Sequence, residues 1–183
     1  MRESYYKKEL TEKEEEMWQQ SVELMEKGQR KKAEKTIDDF LAEKPNFIPA
    51  LNKKAVIKIH QKEFGEARSL LNQILEKDPD YAPALTNLGS IAREVGDLNR
   101  AKKFYQKAVE VDEEYGPAYN NLGVIYREEG NYSKSVKYLK KARKKGGFSY
   151  HFKTDKPFYK DPGCLFVLFL ALVLIIIIYF ILT

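Results

Sequence analysis

The residues that could carry out chemistry are sparse in this sequence of 183 residues. It contains one cysteine, Cys164, and two histidines, His60 and His151. A single thiol excludes a disulfide framework and any multi-cysteine zinc or iron–sulfur site. Two distant histidines do not form a metal cluster, so we expect no metal site and no cofactor. Cys164 is the first residue of an apolar C-terminal segment, where we expect it to pack, with reversible acylation as the alternative.

Acidic residues are abundant, but none lies in a catalytic pattern. The runs at 14–16 and 112–114 are typical of solvated helix faces or helix ends, and no histidine accompanies them. The sequence has no phosphate-binding glycine loop, no dinucleotide fingerprint, no H-E-x-x-H and no G-x-S-x-G. We therefore expect no catalytic residues and no enzyme activity. Function must then come from recognition of a partner by the protein surface.

A framework for such recognition is present as an internal repeat of 34 residues. Searching for repeats first is justified because a missed repeat misassigns the fold. The recurring positions hold an aromatic residue, a proline two residues later, a small residue and a closing glycine (Phe47, Tyr81 and Tyr115; Pro49, Pro83 and Pro117; Ala33, Ala67 and Ala101; Gly96 and Gly130).

Each unit of the repeat predicts two helices joined by a tight turn. In the third unit, Pro83 is expected at the first helical position, where its missing N–H costs nothing. Apolar and small residues then follow at i, i+3, i+4 and i+7. Gly96 supplies a stop, and Asp97 supplies an N-cap for the next helix. Gly89 and Ala101 are small, so the two backbones are expected to approach closely.

These residues resemble the tetratricopeptide repeat, whose pattern is W-x2-L-G-x2-Y…A-x3-F…P. The second copy departs from it at Lys54 and Lys62, and in the divergent first copy Met17 rather than Trp18 takes the aromatic position. The resemblance implies an all-α, right-handed superhelical solenoid of about four helix–turn–helix repeats. Its expected parts are a charged helical extension and four repeats (1–13; 14–47, 48–81, 82–115 and 116–147).

In the tetratricopeptide family, the first helix of each pair lines a concave groove that holds a peptide or a partner helix. The resemblance places nine residues of this chain in such a groove (Asn52, Val56, Ile59, Thr86, Ser90, Arg93, Asn120, Val124 and Arg127). Asparagine and arginine there could hold the backbone and acidic groups of an extended peptide. The alternative is that they are only solvated helix positions. The basic clamp of chaperone-binding members is absent, which argues against binding of chaperone C-termini.

The C-terminal segment 164–183 differs from the rest of the chain, because 19 of its 20 residues are hydrophobic and none is charged. A helix of that length spans about 30 Å, the thickness of a bilayer's hydrocarbon core. We therefore predict one C-terminal transmembrane helix and a tail-anchored, single-pass membrane protein. A buried helix of a core or of an oligomer is the alternative.

Basic residues precede this segment. Residues 137–160 contain nine Lys or Arg and one acid, and no basic residue follows. The positive-inside rule then predicts that the repeats face the cytoplasm and that the C-terminus lies on the far side. The cluster could also attract anionic lipid headgroups of the bilayer (Lys140, Lys141, Arg143, Lys144, Lys145, Lys153, Lys156 and Lys160). Nucleic-acid binding is the weaker interpretation, since no base-reading motif accompanies the charges.

A juxtamembrane linker, 148–163, is expected between the repeats and the span. Its aromatic residues suit a membrane interface, and capping of the last repeat's apolar face is an equal alternative.

The sequence thus predicts a membrane-tethered scaffold that binds a protein or peptide partner in the groove of its cytoplasmic repeats. A subunit of a membrane enzyme, secretion or envelope-assembly complex, with the span packed against other helices, is the second hypothesis. The sequence does not indicate an oligomeric state.

Overall fold

The computed structural model describes residue 6 and residues 10–146 of the chain. Eight α-helices follow one another there: α1 Glu12–Glu26, α2 Arg30–Glu43, α3 Ile48–His60, α4 Phe64–Lys77, α5 Ala82–Glu94, α6 Leu98–Val111, α7 Gly116–Glu128 and α8 Tyr132–Lys144. The all-α fold class is confirmed over these residues. The predicted linker 148–163 and the predicted span 164–183 lie outside them. No helix of the described part is long and apolar enough to cross a bilayer.

The helices form four successive pairs. Each first helix (α1, α3, α5, α7) packs on the second helix that follows it (α2, α4, α6, α8), and each second helix packs on the first helix of the next pair. First helices also contact one another directly, α3 with α5 and α5 with α7. Neighbouring repeats therefore share a continuous surface made of first helices, as expected of a solenoid in which each repeat contacts mainly its neighbours.

The turn within each repeat has the same hydrogen-bond pattern in all four copies. In the third repeat, the N–H of Gly96 donates to the carbonyl of Arg93 (3.0 Å), and that of Asp97 donates to Ala92 (2.9 Å). This is a Schellman motif, which requires a left-handed residue after the helix. Gly96 takes that conformation with φ 84°, and Lys62 takes it with φ 63° in the second repeat. Lys62 therefore occupies a position that favours glycine.

First helices of the three later repeats begin one residue earlier than the sequence predicts. The N-cap of α5 is Tyr81, so Pro83 is the second helical residue and not the first. The N–H of Ala84 already donates to the carbonyl of Tyr81 (3.0 Å). Proline is tolerated here because an N–H in the first turn has no intrahelical acceptor.

Small residues control the packing within each pair. A Cβ atom built on Gly89 would lie 2.5 Å from Cε1 of Tyr105, and one on Gly123 would lie 2.8 Å from Cγ of Leu139. The close approach predicted at Gly89 is confirmed, with the ring of Tyr105 filling the space. The repeat pattern predicts Val136 in the core of the last repeat, but its side chain is 51% exposed. The buried stripe of α8 instead runs through Ser135 and Ala142, which leaves Val136 on the outer side.

Ion pairs join the first and second repeats where the family pattern has apolar residues. Lys54 Nζ lies 2.7 Å from Asp38, and Lys58 Nζ lies 3.1 Å from Glu34. Lys58 also contacts Glu63 at 2.7 Å. The substitution of Lys54 for the usual leucine is therefore matched by an acid on α2.

The first repeat starts from a defined cap. Thr11 accepts from the N–H of Glu14 (3.4 Å), and Glu14 accepts from the N–H of Thr11 (2.8 Å), which forms a capping box. The sequence predicts that the charged segment 1–13 extends the first helix. Residues 10 and 11 are not helical, because α1 begins only after the cap at Thr11. Trp18 is buried against Phe40 and Phe47, whereas Met17 is only partly buried.

Candidate partner-binding surface

A pocket of about 410 Å³ lies on the surface shared by the first helices. We call it the amide pocket, because the side-chain amides of Asn87 and Asn121 are in its wall. It takes residues from α3, α5 and α7, together with Tyr105 of α6 and Lys62 of the turn (Val56, Ile59, His60, Lys62, Asn87, Ser90, Arg93, Glu94, Tyr105 and Asn121). The pocket therefore spans three repeats, and its wall is polar at the centre and apolar on the α3 side.

Four of the nine predicted groove residues line the amide pocket: Val56, Ile59, Ser90 and Arg93. The other five do not. Thr86 is only 5% exposed, and its Oγ1 has no hydrogen-bond partner among the described residues. Asn120 and Val124 are half-buried, and Arg127 is exposed on the last turn of α7. Asn52 is half-buried and accepts from Asn87 Nδ2 at 2.8 Å.

Sequence reasoning missed the two amides that give the pocket its polar centre. Asn87 and Asn121 lie 34 residues apart, one position after the predicted residues Thr86 and Asn120. The signal was available, because the same residue type recurs at the repeat offset. Which of two adjacent residues faces the pocket depends on the direction of its side chain. Successive side chains on a helix point about 100° apart, so an error of one position selects a different face.

Hydrogen bonds hold the floor of the pocket. Ser90 Oγ donates to the carbonyl of Thr86 (3.1 Å) and lies 3.4 Å from the hydroxyl of Tyr105. Burial raises the pKa of Tyr105, an effect that its hydrogen bond to Ser90 opposes. The phenol is therefore neutral across the physiological range and acts as a hydrogen-bonding group, not as a charge.

Arg93 forms an ion pair with a residue of the neighbouring repeat. Its guanidinium contacts Glu128 through Nη2 (2.5 Å) and Nε (3.5 Å), and this hydrogen bond raises the pKa of Arg93. A fork of this kind fixes the geometry of both side chains. Arg93 therefore links α5 to α7, and a partner carboxylate would have to compete with Glu128 for it.

The basic cluster predicted before the span is divided by the structure. Lys141 Nζ lies 5.5 Å from the ring centroid of Tyr119, and Lys145 contacts Glu114 and the same ring. The hydrogen bond to Glu114 raises the pKa of Lys145. Four members are exposed on α8 (Lys140, Lys141, Arg143 and Lys144), Lys145 is half-buried, and three lie outside the described residues (Lys153, Lys156 and Lys160).

Chemically, the amide pocket offers the neutral groups of Asn87, Asn121 and Ser90 beside an apolar wall, with the charged residues Lys62, Arg93 and Glu94 also in its lining. Within residues 10–146 no three His, Cys, Asp or Glu side chains are placed to hold a metal ion. The arrangement suits a peptide backbone, because an asparagine side chain has two donors and one acceptor group that match a main-chain amide.

These features define a helical repeat protein whose recognition surface is shared by consecutive repeats. Two family models, both described as tetratricopeptide repeat, match residues 24–91 and 80–144. Over residues 24–144 the chain therefore belongs to the tetratricopeptide repeat family.

Solved structures agree with this fold. A thermophilic tetratricopeptide repeat protein of Thermus thermophilus is 21% identical, with a TM-score of 0.63 over 70% of this chain and 72% of that one. MamA of Desulfovibrio magneticus, from residue 41 to its end, is 22% identical, with a TM-score of 0.56 over 73% and 76%. No curated protein matches the chain by sequence.

Proposed function

We propose that this protein is a membrane-tethered scaffold that binds a protein or peptide partner in the amide pocket of its repeats. The observation that carries the proposal is the composition of this pocket, in which three consecutive first helices bring Asn87, Asn121 and Ser90 beside Val56 and Ile59. An extended peptide running across the repeats would pair its main chain with the amides and place an apolar side chain against α3.

Tethering is supported by the sequence of the C-terminal segment. The uncharged run 164–183 is long enough to span a bilayer, and the basic residues before it favour a cytoplasmic location for the repeats. The exposed members of the basic cluster on α8 lie close in sequence to this run, where anionic headgroups would attract them.

Site-specific crosslinking tests partner binding. A photo-crosslinking amino acid at Ser90 or Val56 is expected to capture one defined partner in cells, identified by mass spectrometry. The same amino acid at Gln106, which is exposed on α6 and outside the pocket, serves as the control. Equal capture from Gln106 and Ser90 would contradict the proposal.

The second candidate is a subunit of a membrane complex that is assembled through the span, and the apolar composition of 164–183 favours it. Two variants separate the candidates: Asn87→Ala with Asn121→Ala, and a chain whose span is replaced by an unrelated apolar span. The scaffold loses its partner only in the first, whereas the subunit loses assembly only in the second. Asn99→Ala, an exposed amide on α6, is the matched control for the first variant.

A further inference from the structure

A second groove lies between α4 and α6, which are second helices of neighbouring repeats, and not on the surface shared by the first helices. It encloses about 220 Å³, and its floor is apolar, formed by Leu75, Phe104 and residues of α5 and the turn after it (Leu85, Leu88, Ala92 and Val95). Val95 is 53% exposed although it is a large aliphatic residue. Leu75 and Phe104 are half-buried, whereas Leu85, Leu88 and Ala92 are buried, so the apolar surface open to a partner comes from Val95, Leu75 and Phe104.

The rim of this groove is basic. Arg68 on α4 and Arg100 and Lys107 on α6 line it. None of the three forms an ion pair with another described residue; Arg100 instead lies 5.7 Å from the ring centroid of Phe104. The one acid in the lining, Asp97, already accepts from the N–H of Arg100 (2.9 Å) as the N-cap of α6. The groove, which we call the basic groove, therefore has an unbalanced positive charge.

Both helices line the groove with a cationic and an apolar side chain on one face. On α6, Arg100, Phe104 and Lys107 follow at i, i+4 and i+7, and on α4 Arg68 and Leu75 are likewise seven residues apart. Each helix thus presents cationic and apolar side chains along one stripe that lines the groove. A peptide that presents apolar residues with acids beside them is complementary in charge and polarity to both helices.

We infer that the basic groove binds an acidic amphipathic segment of a partner protein, separately from the amide pocket. An apolar side chain of the segment contacts Val95 and Phe104, and its carboxylates pair with Arg68, Arg100 and Lys107. The volume accommodates side chains and is smaller than the pockets of about 300 to 1,000 Å³ that hold drug-sized molecules. A lipid bilayer is too broad to enter a groove bounded by two helices.

Fluorescence anisotropy tests the inference with the full chain and a labelled synthetic peptide that has leucine at every third or fourth position and glutamate between. Arg100→Glu combined with Lys107→Glu is expected to weaken binding by about tenfold or more, because reversed rim charges repel the peptide. The control is Lys31→Glu on α2 with Lys137→Glu on α8, which changes net charge equally at exposed positions away from the groove. It should change the dissociation constant less than about twofold, since exposed distant charges are screened.

A second variant keeps the test valid if the charge reversals disturb folding. Val95→Glu lies after the end of α5 and places a carboxylate on the floor, so it should weaken binding while the helical circular dichroism is unchanged. Equal weakening by the groove variants and the control pair would overturn the inference, as would equal binding of a peptide with lysine for glutamate. Loss of peptide binding only on Asn87→Ala with Asn121→Ala would place the peptide in the amide pocket and would also overturn it.

Discussion

At the residue scale, Lys62 carries the clearest departure from the repeat pattern. It holds φ 63° where three other repeats have Gly28, Gly96 and Gly130 in the same left-handed conformation. A side chain with a Cβ is strained there, because the Cβ approaches the following carbonyl oxygen.

Lys62→Gly is therefore expected to raise the free energy of unfolding by about 1 kcal/mol. This net gain is the backbone strain that glycine relieves, reduced by the greater conformational freedom of glycine in the unfolded chain. Gly96→Ala, at φ 84° with open space around its Cβ, should lower it by a similar amount. Urea unfolding followed by circular dichroism measures both. A Lys62→Gly protein less stable than the parent would show that the lysine side chain contributes more than its backbone costs.

The ion pair of Glu34 makes the stability of the protein depend on pH. Burial tends to raise the pKa of the Glu34 carboxyl, but the hydrogen bond from Gln61 (2.8 Å) and the pair with Lys58 outweigh it and hold the pKa below its ordinary value of 4.5. A lowered folded-state pKa adds stability that is complete above the unfolded-state pKa and is lost as the pH falls through the folded-state pKa.

We expect unfolding free energy to fall as the pH drops below about 4.5, and Glu34→Gln to make that fall shallower. Denaturant melts between about pH 3 and pH 7 give the slope for each protein. Glu26→Gln, at a surface position on α1, is the control for loss of one carboxylate. An identical slope in the parent and the Glu34→Gln variant would exclude the ion pair as a contributor to acid stability.

At the scale of the element, two glycines inside helices have opposite roles. Gly89 on α5 is packed under the ring of Tyr105, which is 1% exposed, whereas Gly65 on α4 has nothing within 4 Å of a Cβ. Replacement by alanine favours a helix by up to about 1 kcal/mol at either position. Packing decides the sign of the effect, because a Cβ on Gly89 would lie 2.5 Å from the ring of Tyr105, whereas one on Gly65 would meet no atom within 4 Å.

Gly89→Ala is expected to lower the free energy of unfolding by about 1 to 3 kcal/mol through overpacking of α5 against α6. Gly65→Ala is the matched control and should leave stability unchanged or raise it by less than about 1 kcal/mol. Thermal melts of both variants provide the comparison. Equal stabilisation by the two substitutions would mean that the ring of Tyr105 moves aside without cost.

At the scale of the whole molecule, stability is a sum of repeats and of their interfaces. Leu122 is 1% exposed and packs between α6 and α7, while Leu71 is fully buried in the second repeat, which has neighbours on both sides. Hydrogen exchange should therefore report local opening at the C-terminal repeat before the centre opens.

Leu122→Ala is expected to cost about 2 to 5 kcal/mol and to remove amide protection in α7 and α8 while protection in α3 and α4 persists. Leu71→Ala removes the same group from the centre and should reduce protection throughout. Hydrogen–deuterium exchange with mass spectrometry resolves the helices. Uniform loss of protection in Leu122→Ala would show that the repeats unfold as one cooperative unit.

The proposed tether is also a property of the whole chain. Full-length protein is expected to stay in the membrane pellet after alkaline carbonate extraction, because an apolar helix of about 20 residues is not released by charge repulsion. A chain that ends at residue 163 should appear in the supernatant, and separating the two fractions by immunoblot reads the outcome. Full-length protein in the supernatant would contradict membrane insertion.

The sequence by itself determined the repeat length, the helix pairs, the glycine turns and the cap at Asp97, because these depend on residues within a few positions of one another. Only the tertiary structure decided which surface positions meet. It paired Lys58 with Glu34 and Arg93 with Glu128, and it selected the neighbours of Thr86 and Asn120 for the amide pocket. These contacts depend on the rotation and spacing between stacked repeats, which side-chain packing across their interfaces sets and no single repeat encodes.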